Sequence, residues 1–286
     1  MRTKRSLWIK AAAVTLLGMA GLVAVVLVPS YSQGAGGVDL EPEGGALYPS
    51  SDFGWLTLYM HHVYECYTKA KNFFDQGDMS MADANLAVME LYVEASKTRL
   101  PDKLQNGKPF DKKTYSENMG KLISFSEATR ANLKNKKWAD TTPGKLDPLM
   151  QSCVGCHQAY NIPTDFHIDN KLKVLTQVMH QIYDIYHLAG AQLTNEKWDE
   201  AKSCFMVCKS YIEVIPNNIP DTNQDGQKID KKLFTTTYEQ LKQFNDDKVR
   251  QLETKSFMGG KPLPPPRVVM DNCKACHATA KIESPW

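Results

Sequence analysis

Cys153-Val154-Gly155-Cys156-His157 recurs 120 residues further on as Cys273-Lys274-Ala275-Cys276-His277. Cys-x-x-Cys-His is the attachment signature of a c-type haem. The two thiols add across the porphyrin vinyl groups, and the adjacent histidine reaches the iron as its proximal ligand. Two CxxC pairs also hold zinc through four thiolates, and a single pair serves thioredoxin-like redox chemistry. Neither chemistry requires a histidine directly after the second cysteine, twice, and the separation is far longer than zinc-finger ligand spacing. The expected cofactors are two covalently bound c-type haems, held by Cys153, Cys156, Cys273 and Cys276, with His157 and His277 on iron.

Working back from each pentapeptide, the similarity extends over the whole half that precedes it. At a shift of 119, Met60-His61 matches Met179-His180, Tyr64 and Tyr67 match Tyr183 and Tyr186, and Val88, Tyr92 and Glu94 match Val207, Tyr211 and Glu213. Pro101-Asp102 matches Pro220-Asp221, Gly107 matches Gly226, and Asp111-Lys112-Lys113 matches Asp230-Lys231-Lys232. The chain is therefore a tandem duplication in which each unit ends on its own attachment motif.

Each unit reads as four helices. Leu175, Val178, Met179, Ile182, Tyr186, Ala189 and Leu193 step mostly by three or four, an amphipathic stripe. Met60, Val63, Tyr64, Tyr67 and Phe74 echo it. A second helix follows Gly77-Asp78 or Asn195-Glu196 and ends before Pro101 or Pro216; a third begins near Asp111 or Asp230. The fourth carries the attachment motif. No stretch alternates with β-branched enrichment, so strands are not expected. The predicted fold is all-α: two tandem antiparallel four-helix bundles, at 51–160 and 161–286.

Upstream, a basic start (Arg2, Lys4, Arg5) precedes an uncharged run from Ala11 to Val28, closed by Pro29. Such a segment directs export, as a cleaved signal peptide or a retained anchor within 1–29. Residues 30–50, rich in Gly, Pro and Ser, read as a linker. The expected location is the periplasmic side of a bacterial inner membrane, with membrane contact through the N-terminal segment if it is kept. Four of the 34 bases (Arg2, Lys4, Arg5 and Lys10) lie in that segment, leaving 30 against 32 acids downstream. No concentrated basic face points to nucleic acid. Cys66, Cys204 and Cys208 lie outside the motifs and read as small apolar core residues. Asp221-Thr222-Asn223-Gln224-Asp225-Gly226 opens like a calcium loop, but Lys232 stands where a bidentate acid is required, so a polar interhelical turn is the better reading.

Four helices with CVGCHQAY and CKACHATA on the last resemble the class II cytochromes c, the cytochrome c-prime family. The late position of the motif carries that resemblance. It implies an antiparallel bundle with haem at one end and the first helix over the open face of the ring. Met60 and Met179, on the apolar stripe, are the preferred sixth ligands. His61 and His180, rotated about 100° from them, are the alternatives, and an open iron is the third. His62 has no counterpart, since 181 is Gln. Two protein ligands per iron leave one-electron exchange with redox proteins in the membrane or periplasm, and no enzymatic role. An open iron leads to nitric oxide or carbon monoxide binding. A dihaem peroxidase requires an open iron and distal acid-base groups; His61 or His62 could serve, but nothing else in the first helix supports that role.

Overall fold

Ser51 starts the first helix: its side chain accepts a hydrogen bond from the Gly54 N–H (3.1 Å) and so caps α1, Asp52–Asp75. Asp78 does the same through Met81 for α2, Met79–Lys97, and Asp111 through Thr114 for α3, Lys112–Lys134. The second half supplies α4 (Lys171–Thr194), α5 (Trp198–Ile212), the short α6 (Ile215–Asn218) with Pro216 in its first turn, and α7 (Lys231–Glu253), which Asp230 caps. The computed structural model describes residues 51–104, 106–136, 157, 171–222 and 226–256. Over these the chain is all-α, with only two isolated bridges outside the helices. The expected export segment and linker, both expected fourth helices apart from His157, and Cys153, Cys156, Cys273, Cys276 and His277 lie outside the described residues. Among the described residues no helix is long and apolar enough to cross a membrane.

The duplication is visible at the level of single residues. α1 and α4 begin and end 119 positions apart, as do α3 and α7, and α2 and α5 start at the same offset. The loop before the third helix repeats too. Lys103 bridges Pro109, as Thr222 bridges Lys228, and Lys112 reaches Asp102 (2.7 Å) as Lys231 reaches Asp221 (2.5 Å). Each loop turns on a glycine in the left-handed region, Gly107 at φ 79° and Gly226 at φ 76°. So Asp221 serves as the partner of a lysine in an interhelical turn. One capping site has diverged: Asp78 corresponds to Lys197, which makes no side-chain cap.

α1 packs on α2 and α4 on α5, while α3 and α7 close onto α2 and α5. The halves meet where α2 packs on α5, and Val88 and its counterpart Val207 are both fully buried. Buried side chains of both repeats form one continuous cluster. Cys66, Cys204 and Cys208 are free and buried in it. Burial raises all three thiols above the ordinary range, which suppresses the reactive thiolate.

Candidate functional site

The segment Met60-His61-His62 lies midway along α1, and the three side chains go three ways. The Tyr115 hydroxyl, on α3, donates to Met60 Sδ at 3.3 Å and also lies 2.6 Å from Ser96 Oγ on α2. Met60 therefore looks into the bundle of its own repeat. His62 is buried, and its Nε2 is hydrogen-bonded to Asp184 Oδ2 on α4 at 3.0 Å, so it faces the other repeat. His61 is half-buried and lies within electrostatic reach of His157. Its imidazole is pushed down to about 4, chiefly by desolvation, with His62 and then His157 adding to the effect. At neutral pH it is a neutral ring carrying a lone pair, the form in which histidine binds a metal.

His157 is half-buried, and its Nδ1 is shielded from solvent with no hydrogen-bond partner among the described residues. Each of the two half-covered imidazoles carries nitrogens of the kind that could bind a haem iron, which takes a proximal histidine and one further ligand. Among the described residues no group of three or more His, Cys, Asp or Glu side chains gathers as a bare-ion site. In the second repeat, Met179 and His180 are both buried on α4, and Gln181 turns to the first repeat. Phe234 stands at the position of Tyr115, so no hydroxyl corresponds to the one at the Met60 sulfur. His187, two turns beyond His180, is a further half-buried imidazole, edge-on to Tyr183 at 4.3 Å and lowered by burial. Its seven-residue spacing from His180 is the signal that marks it in sequence.

Contacts between the repeats are reciprocal. Position 62 meets 184, the counterpart of 65, while Glu65 meets Gln181, the counterpart of 62. Such an exchange is the mark of a two-fold interface, here between two units of one chain. Glu65 also accepts from Gln177 (2.6 Å) and from the Tyr211 hydroxyl (3.0 Å). Lys69 extends the polar seam, with its ammonium 3.2 Å from Ser210 Oγ and over the Tyr211 ring at 3.4 Å.

One departure from that symmetry leaves a polar atom stranded. The Tyr92 hydroxyl, the counterpart of that of Tyr211, is buried without a hydrogen-bond partner among the described residues. Asp184 is one methylene shorter than Glu65 and is taken by His62, whose ring lies 4.7 Å from that of Tyr92. Removing an unsatisfied buried hydroxyl is neutral or stabilising, whereas removing a satisfied one strands its acceptor. Tyr92→Phe will therefore leave stability unchanged or raise it by about 1 kcal/mol, and Tyr211→Phe will lower it by about 1 kcal/mol. Denaturant titration of the two variants side by side measures the difference, and equal losses would contradict the pairing.

No protein-family model, curated protein or solved structure matches the chain.

Proposed function

We propose that the chain is a dihaem c-type cytochrome that carries single electrons on the exported side of a membrane. What carries this reading is the placement of Cys-x-x-Cys-His at the same late point in each half of a duplicated chain. The half-buried setting of His157 and the electrostatic influence it exerts on His61 are in keeping with that reading. A covalently held haem supplies a ferric/ferrous couple, whose potential depends on the axial ligands and their surroundings. The chain's own residues do the rest. Cys153, Cys156, Cys273 and Cys276 would tether the two rings, His157 and His277 would bind the irons, and the resemblance to the class II cytochromes c points to α1 and α4 for the further ligands. With two protein ligands on each iron no substrate could bind, and the chain would act as a carrier. Its partners are redox proteins of the membrane or the periplasm.

Mass spectrometry of the full chain, matured in a host that attaches c-type haem, tests the reading. The expected chain is heavier by two haems, and Cys153→Ser with Cys156→Ser in one protein removes one of them. The bare polypeptide mass, or a metal other than iron, would overturn it. Carbon monoxide discriminates the role: a low-spin ferrous spectrum unchanged by the gas fits a carrier, and a shifted one fits a gas-binding protein.

A further inference from the structure

We propose that the seam between the repeats holds one internal water molecule, bonded to the Tyr92 hydroxyl of the first repeat and the Asp184 carboxylate of the second. The proposal does not depend on the haem reading. It rests on a three-residue arrangement that occurs twice across the two-fold seam and is closed by direct bonds only once. On one side, Glu65 of α1 accepts from Gln181 of α4 and from the Tyr211 hydroxyl of α5, the latter at 3.0 Å. At the matching positions, 119 residues away, stand Asp184 of α4, His62 of α1 and Tyr92 of α2. His62 keeps its half of the pattern, with Nε2 3.0 Å from Asp184 Oδ2. The Tyr92 hydroxyl does not: it is buried and has no hydrogen-bond partner among the described residues.

Side-chain length at one position explains the difference. The helices that carry the two sets start at the same offset, and the His62 ring lies 4.7 Å from that of Tyr92. The phenol therefore stands beside the His62–Asp184 pair as Tyr211 stands beside Gln181 and Glu65. An aspartate carboxylate ends one carbon–carbon bond short of a glutamate's, about 1.5 Å. Added to a bond of the length that Tyr211 makes, this step puts the Tyr92 hydroxyl about 4.5 Å from the carboxylate. Two hydrogen bonds of about 2.8 Å that meet on one water oxygen span such a distance. The chemistry matches as well. Burial first, and then the Asp184 charge, raises the Tyr92 hydroxyl well above the usual phenol range, so it stays a donor. An ionised carboxylate only accepts, and a water accepts from the one while donating to the other. The Asp184 side chain is 12% exposed, so water reaches it from solvent. Immobilising the water offsets much of what its bonds contribute, so Tyr92→Phe stays near neutral in the parent protein.

The test uses the full-length protein. A crystal structure that resolves ordered solvent is expected to show one water within hydrogen-bond distance of both the Tyr92 hydroxyl and the Asp184 carboxylate. A direct bond between Tyr92 and Asp184, another protein or cofactor group on the hydroxyl, or a dry contact there overturns the proposal. Asp184→Glu supplies the missing length and is expected to displace the water. Denaturant titration reads the consequence. Tyr92→Phe is expected to lower the folding equilibrium constant about fivefold in the Asp184→Glu background, the loss assigned above to Tyr211→Phe. An equal effect of Tyr92→Phe in both backgrounds places the hydroxyl away from Asp184 and overturns the proposal. Should Asp184→Glu fail to fold, the crystal structure decides alone.

Discussion

Glu65→Leu will destabilise the protein by about 3 kcal/mol, because it removes one acceptor from three donors at once. The carboxylate of Glu65 receives the amides of Gln177 and Gln181 and the hydroxyl of Tyr211. Gln181 is 1% exposed and Tyr211 3%, so water cannot replace the lost partner without opening the seam between the repeats. A leucine fills much of the volume but accepts nothing, and each stranded buried donor costs about 1–3 kcal/mol. Glu65→Gln keeps one acceptor oxygen and should recover part of the loss. Denaturant titration of the three proteins gives the comparison. A Glu65→Leu protein within about 0.5 kcal/mol of the parent would mean that the polar seam does not hold the halves together.

The second large effect belongs to Arg130, which bridges α3 to α2. Its Nε lies 2.9 Å from Asp83 Oδ1 and its Nη1 2.5 Å from Glu90 Oε2. The three side chains are 15, 21 and 14% exposed, so solvent screens them poorly. Arg130→Met leaves two carboxyl groups facing each other in a half-dry site and is expected to cost about 3 kcal/mol at neutral pH. Burial already raises Glu90 above the usual carboxylate range, against the pull of the guanidinium. Without the arginine the folded-state value rises further, so the folded form binds a proton that the unfolded chain has released. The deficit of the variant is therefore largest above the raised folded value and shrinks as pH falls toward the ordinary glutamate range. Unfolding midpoints at neutral and mildly acidic pH give the measurement, and a deficit that grows on acidification would refute the assignment. The second repeat has Lys202, Lys209 and Val249 at these positions and holds no such triad. There, Lys209 pairs with Asp246 at 3.1 Å instead.

Reading the helices from sequence required only local information. Gly77 and the acids Asp78 and Asp111 mark stops and starts that the backbone respects. The stripe from Leu175 to Leu193 is the buried face of α4 where its side chains are described. The shift of 119 between repeats reappears in loop bridges, in lysine–aspartate pairs and in left-handed glycines. His62 was harder. Its lack of a counterpart argued against a shared role, yet it has a specific partner, because the interface is two-fold only in backbone. Asp184 on the opposing helix lies 122 positions away, and nothing local announces the pair.

The candidate distal residues show the same division. Periodicity ranks Met60 first because it falls on the apolar stripe, and it sets His61 aside because turning it inward would expose that stripe. The argument assumes that α1 has one covered face. In the folded chain, α1 is covered on more than one side, by the common core and around His61, so a residue off the stripe is still half-buried.

Composition and spacing alone determined the helical class, the duplication and the paired Cys-x-x-Cys-His motifs, since each depends on residues near one another in sequence or on a plain repeat of them. Only the tertiary structure decided which way Met60 and His62 point and that Glu65 and Asp184 take their partners across the repeats. Those directions follow from how helices distant in sequence pack, and a burial pattern along one helix does not specify its neighbours on every side.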